Sequence, residues 1–504
     1  MVSISFKKAL ENDGNKDLFL IPPRIPCKSL RSNSSPWEAL FIGDPNLNPY
    51  AEERLWGDPR KYSLLGITHT LSTPAPLQII PKIPYAPLFK WDALICTSVA
   101  AQSAIRTIWD HSDEILNRRG GRPAVRPYLP IIPLGVDANS LLPSCSRKEA
   151  RRQINLPEDA VVVLWTGRFE LHCKAHHGAT FSALAHAAAA VPQKKWVLLM
   201  YGTAIMPEIP PALEEAARHI CPDVDVRLLD GHNIQLGNLA RTASDVAISL
   251  VDCLQETFGL APVEAMGSGL PVVVSNWDGY RDTVVEGRTG YLIETHSFQP
   301  GWNNHANLQS AVNENALNEV STVISSQIGV DTIAAGAALA KLAQSPQLAV
   351  AMGALGQQRV REYYDWQIIL NDYRDLLDEL KSVRAQALSE TSITGIETNK
   401  PIPELAKIFS QWPSKVINTE SEIKAKGTIA DLERYLELKI IQIYKDILPS
   451  KELIIQTFKL ISSSGSTSID QLNKSSHDNN NAISNQRFLE SVGWLLKHGF
   501  AKVY

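Results

Sequence analysis

The 504-residue sequence predicts an α/β fold with parallel sheets, and two observations carry that expectation. Between about residues 140 and 360, short apolar runs rich in Val, Ile and Leu alternate with helix-period segments, the order of strand–helix–strand units whose sheet is covered on both faces. Several runs end in a glycine, as at Gly167, Gly202 and Gly231, and the carboxyl ends of parallel strands are where such sheets bind ligands. The length adds that more than one domain is present, and three are expected.

The elements follow in order. Residues 1–13 mix acids and lysines without an apolar core segment, so no signal peptide is read there. Pro22, Pro23 and Pro26 exclude a central strand or helix interior over 22–26. Residues 64–70 read as a strand ending at His69, and 91–98 as a second strand. The runs 161–169, 196–202, 224–231 and 246–250 are strands of the next sheet. An amphipathic helix begins near Tyr364 and runs to Leu380. Residues 384–425 are rich in Ser, Thr, Glu and Lys and read as a linker. Beyond it come helical patterns, a polar insert at 475–481, and a closing stretch, 501–504, that suits a terminal strand. The expected division is 1–137, 138–362, a returning helix over 363–383, the linker, and a small, mostly helical domain over 426–504.

Composition narrows the function. The formal charge of −4 argues against a nucleic-acid surface as the main role. Six scattered cysteines form no disulfide framework and fit a reducing, cytoplasmic setting. No run reaches the length of a membrane span.

The stretch 256–275, Glu-Thr-Phe-Gly-Leu-Ala-Pro-Val-Glu-Ala-Met-Gly-Ser-Gly-Leu-Pro-Val-Val-Val-Ser, is the most informative. Glu256 and Glu264 flank a loop-to-helix junction. Pro262 suits the first helical turn, Gly267 and Gly269 suit its stop, and 270–274 reads as a buried strand. A helix N-terminus favours phosphate, while carboxylates accept hydroxyls. That combination suits a nucleoside-diphosphate sugar, which has hydroxyls at both ends and phosphates between. Taken alone, two glutamates favour a plainer reading, with Glu264 a surface acid near a favourable dipole. Upstream, a strand enters the turn Gly167-Arg168, and Lys174 follows six positions on. Arg offers a planar fork and Lys a mobile charge, both suited to a diphosphate. Alone, this too reads as a turn with a solvated cation. His172, Cys173, His176 and His177 crowd the same loop, but Cys173 lacks a C-x-x-C partner, so loop packing or substrate contact is preferred to zinc.

Together these residues resemble the retaining glycosyltransferases of the GT-B fold, family 4. Glu256 to Glu264 is similar to that family's E-x7-E element, and 269–275, 278–282 and 287–293 continue its pattern. Gly167-Arg168 with Lys174 resembles its diphosphate site, with one residue more between the two cations than is common. Residues 131–137, Ile-Ile-Pro-Leu-Gly-Val-Asp, resemble its interdomain link. The resemblance covers 64–382. It implies two Rossmann-like domains facing a cleft, a UDP- or GDP-type sugar as co-substrate, and no metal or cofactor in the transfer step. It implies His69, Glu256, Arg168 and Lys174 as catalytic residues. Gly167, Gly231, Thr257, Phe258, Gly259, Leu260 and Glu264 would bind the donor. The first half departs from the family: it is short by several tens of residues and has no Gly-Gly loop before Gly120-Gly121.

The C-terminal stretch weakly resembles a winged helix. Residues 401–504 hold 13 Lys and Arg against 11 Asp and Glu, without a basic stripe, so DNA is not the expected partner. A protein or peptide acceptor, a partner subunit or a second copy of the chain is expected there instead. Two competing readings stand beside the enzyme: a catalytically weak sugar-nucleotide-binding partner subunit, and a regulator whose C-terminal domain binds nucleic acid.

Overall fold

The computed structural model describes residues 18–20, 38–55, 58–122, 125–170, 174–299, 314–389, 405–408, 410–442, 448–478 and 485–504. The chain divides into two compact units, Met1–Pro401 and Ile402–Tyr504.

The first unit is α/β, with two parallel sheets in two Rossmann-like halves, the GT-B arrangement. The first half carries strands β1 (Leu18–Leu20), β2 (Ala39–Phe41), β3 (Ser63–Ile67) and β4 (Ala93–Ile95), hydrogen-bonded in the order 1-2-3-4. β2, β3 and β4 are buried at every position, as expected of continuous apolar strands covered on both faces. Helix Val99–Arg118 follows β4, its N-cap Ser98 accepting from the Ala101 N–H at 3.0 Å. Leu64, Leu94, Ile105 and Trp109 belong to the core between them. Among the described residues, one ion pair is buried inside this half. Arg54 meets Asp92 through two hydrogen bonds of 2.6 and 2.7 Å, and Asp92 also accepts from the backbone of Leu64 and Phe89. Both side chains are essentially inaccessible.

The second half holds β5 (Val161–Arg168), β6 (Trp196–Thr203), β7 (Val224–Asp230), β8 (Val246–Ser249), β9 (Val272–Ser275) and β10 (Gly290–Ile293). Their order is 10-9-8-5-6-7, so the chain reverses direction across the sheet between β5 and β8. The crevice above such a reversal is the binding position in open parallel sheets. Helix Leu260–Gly267 enters the sheet before β9, and Gly269, at φ +82°, ends the turn in the left-handed region.

The halves are joined by two strands of chain lying side by side. Val136 N–H donates to the Tyr364 carbonyl at 2.8 Å, and Trp366 N–H returns to the Val136 carbonyl at 3.0 Å. Gly135 is required there, since a Cβ would stand 2.4 Å from the Trp366 ring. The returning helix spans Trp366–Ser389, six residues past its expected end. It packs back on the first half through Tyr373 against Phe41, and Arg384 donates to the Glu38 carbonyl and Ser63 Oγ, each at 2.8 Å.

The second unit pairs strands Thr467–Ser468, Glu422–Ala425 and Ala501–Val503 in an antiparallel sheet, with Glu422–Ala425 central. Leu432, Phe458, Phe488 and Leu495 form its core. Helix Ile429–Leu436 opens with a reciprocal cap between Thr428 and Asp431. Two sequence boundaries need correction here. Strand Glu422–Ala425 falls inside the stretch assigned to the linker, because only Ile423 faces the core fully and the charged Glu422 and Lys424 hide the alternation. The polar insert begins inside helix Ile469–Asp478, which buries Ile469 and Leu472; its later residues lie outside the described ones.

Candidate functional site

The site is built on main chain before any side chain enters. Gly167, Gly202 and Gly231 end β5, β6 and β7 side by side. A Cβ on Gly202 would stand 2.1 Å from the Gly167 carbonyl oxygen, and one on Gly231 would stand 2.6 Å from the Gly202 backbone. Gly231 N–H donates to the Gly202 carbonyl at 2.8 Å. Gly231 therefore has a packing reason to be glycine. Gly167 makes room for a cation: a Cβ there would lie 2.9 Å from Cε of Lys174.

Lys174 reaches across this shelf to Glu256, Nζ to Oε2 at 2.5 Å, with both side chains mostly buried. Burial works against the lysine charge, but Tyr280 and the Glu256 carboxylate outweigh it and hold its pKa above the usual value. Arg168, at the end of β5, is half exposed and pairs with Glu170 at 3.0 Å. Just past Lys174 the chain is fixed from the segment that follows β8: His176 N–H donates to both Asp252 oxygens, at 3.2 and 3.3 Å. Burial pushes the Asp252 carboxyl up to about 7. His177 is packed edge-on against Trp165, with ring centroids 4.5 Å apart, and neither ring nitrogen has a hydrogen-bond partner. Burial, aided by His176, pushes its pKa down to about 3, so it is a neutral core residue. His172 and Cys173 lie outside the described residues. Among the described residues, no group of three or more His, Cys, Asp or Glu is placed to hold a metal ion.

Helix Leu260–Gly267 starts at Gly259, whose φ of +95° lies in the left-handed region; no side chain caps the helix. Its first N–H groups lack intrahelical partners, which makes this end an anion site in form. Tyr280 enforces the glycine, because a Cβ on Gly259 would fall 2.1 Å from its Cε1. Tyr280 is itself fully buried and hydrogen-bonded to Ser249 at 2.9 Å. Phe258 points into the core against Tyr364, so only its backbone is available to a ligand, and Leu260 stands at the first helical position. Glu264, in the second turn, is half-buried; burial raises its pKa, and Arg241 and Lys174 oppose the rise.

His69 lies two residues past β3. Its Nε2 meets the Gly43 carbonyl, and its own carbonyl accepts the Thr257 hydroxyl from the other half. Thr257 is thus held across the cleft. Thr97 Oγ1 returns to the Thr257 carbonyl at 3.5 Å, and Val99 N–H, at the start of helix Val99–Arg118, donates to Asp282 Oδ2 at 2.7 Å. Beside these bridges opens a cavity of about 590 Å³ lined in part by Glu256, Asp278, Trp277 and Ala100.

The structure brings His69, Thr257, Glu256 and Lys174 together at one end of the parallel sheets, with Gly167 and Gly259 adjoining. Sequence reasoning missed Asp252, Asp278 and Asp282. Asp278 and Asp282 stand in a stretch already singled out by pattern, which was the available signal.

An α/β protein with a lysine–glutamate pair and a helix N-terminus at its strand reversal has them where open parallel sheets bind ligands. Residues 160–305 match the family model described as glycosyl transferases group 1. The D-inositol 3-phosphate glycosyltransferase of Geodermatophilus obscurus is 33% identical over 191 residues, which cover 37% of this chain and 40% of that protein. Its counterpart from Nocardioides sp. is 30% identical over 174 residues, covering 32% and 36%. The chain thus spans about two fifths of these curated relatives. A glycosyltransferase structure from Rickettsia africae is similar over 75% of this chain and 94% of that one, with 13% identity and a TM-score of 0.49. Among the described residues, no helix is long and apolar enough to cross a membrane.

Proposed function

We propose that the protein is a retaining, metal-independent glycosyltransferase that moves a sugar from a UDP- or GDP-type donor to an acceptor hydroxyl. The observation that carries this reading is the Lys174–Glu256 pair beside the uncapped N-terminus of helix Leu260–Gly267, with Arg168 at the end of β5. Arg168, Lys174 and the helix N–H groups neutralise the departing diphosphate, an electrostatic stabilisation of charge as it develops. Glu256 accepts hydroxyls of the transferred sugar, and Glu264 those of the ribose. His69 faces the reacting carbon across the cleft. Substitution occurs on one face of the sugar, so Glu256 is a hydroxyl acceptor, not the nucleophile of a retaining glycoside hydrolase. The bridged cleft limits the water that would otherwise hydrolyse the donor. The Ile402–Tyr504 unit, with a core of its own and near-neutral charge, docks a protein acceptor or partner.

The test is donor turnover, by transfer or hydrolysis, over a panel of UDP- and GDP-sugars. Arg168→Ala should lower turnover by about two orders of magnitude, as loss of one strong electrostatic donor does. Undiminished turnover would leave the Gly167-Arg168 turn a purely structural feature. Donor binding without turnover in the wild type would favour the partner-subunit reading.

A further inference from the structure

Asp278 carries a buried oxygen that its neighbours do not satisfy. It follows β9 with φ +38°, a left-handed conformation that aspartate enters more readily than most residues with a Cβ, and its Oδ1 accepts the Tyr280 N–H at 3.2 Å. Its Oδ2 is buried without a partner. Unsatisfied buried polar atoms collect where a ligand completes the structure. Here the residue lines the 590 Å³ cavity together with Glu256, at the carboxyl end of the sheet.

From this geometry we infer that Asp278 is a specificity residue, its Oδ2 taking a hydroxyl of the sugar being transferred. The inference rests on the proposed donor site and names a reader within it. Burial, and then the nearby Glu256 charge, push the Asp278 carboxyl well above the usual range. Glu256 and Asp278 thus present two carboxyl groups to one face of the cavity, where sugar hydroxyls can pair with them. Such a site discriminates epimers, because a misplaced hydroxyl leaves buried polar groups unpaired.

Two variants of the full chain test it. Asp278→Gly suits the positive φ and removes the side chain. Asp278→Asn keeps a donor and an acceptor and retains the bond to the Tyr280 N–H. Calorimetric affinities are measured for UDP, UDP-glucose, GDP and GDP-mannose. For the pair that the wild type binds, Asp278→Gly should weaken the sugar nucleotide by about 10-fold and the bare diphosphate by less than about twofold, the scale of one lost buried hydrogen bond. Asp278→Asn should recover most of the difference. Equal weakening of both ligands would make Asp278 a loop-shaping residue and overturn the inference, as would no change in either. A wild type that binds none of the four overturns the donor reading itself, and this inference with it.

Discussion

Replacing Asp252 by Asn should change how stability depends on pH, and the sign follows from two buried groups that oppose each other. Asp252 titrates at about 7 in the folded chain, against 3.8 for an ordinary aspartate. Its folded form holds the proton more tightly, so its contribution is fully present below pH 3.8 and is lost as pH rises through about 7. His177 behaves oppositely: depressed to about 3 from 6.5, its contribution is present above pH 6.5 and is lost as pH falls toward 3. Each group alone contributes about 1.4 kcal/mol per pH unit inside its window. Between about pH 4.5 and 6.5 the two slopes nearly cancel, and the wild type should show little net dependence from this pair. Asp252→Asn keeps an oxygen for the His176 N–H and removes one slope. On going from pH 4.5 to 6.5 it should gain about 2–3 kcal/mol more than the wild type does. His177→Leu should show the opposite difference, and the double variant should again run parallel to the wild type. Urea denaturation at the two pH values, with each variant read as a difference from wild type, removes the titration of every other carboxylate. If the Asp252→Asn and wild-type changes agree within about 0.5 kcal/mol, Asp252 does not retain its proton in the folded chain across this range.

Gly259→Ala should be destabilising by about 2–4 kcal/mol and should abolish nucleotide binding, since φ is +95° and a Cβ would overlap the Tyr280 ring; an unchanged urea midpoint with intact binding would refute it. Arg54→Met should cost about 3–5 kcal/mol, because it leaves the Asp92 carboxylate buried without its cation. A loss below about 1 kcal/mol would mean that the two backbone N–H groups on Asp92 suffice to hold its charge.

The legible parts of this fold were those written locally. β5 from Val161 to Trp165 and all of β9 are runs buried at every position, so composition alone marks them. Glu256, Gly259 and Glu264 were found because a loop, a helix start and a helix stop lie within twenty residues of one another. Asp282 was not found, because its partner Val99 N–H stands 183 positions away and asks nothing of the residues around Asp282. The same holds for Thr257, whose residue type was noted for the donor but whose hydroxyl is spent on the His69 carbonyl, 188 positions distant. Strand Glu422–Ala425 was lost for the opposite reason, since four residues with one fully buried side chain carry too little periodicity to stand out from a polar linker.

The two shortest fastenings across the cleft are lopsided. Thr257 and Asp282 supply side chains from the second half, whereas the first half answers only with a carbonyl at His69 and an N–H at Val99. Main-chain groups survive almost any substitution. Apart from Thr97, whose hydroxyl reaches the Thr257 carbonyl, one wall of the cleft can therefore be re-lined while these two fastenings stay intact. The other wall has no such liberty: a change at Thr257 or Asp282 loosens the seam itself. A chain built this way can change the chemistry of one side without relearning how to stay closed.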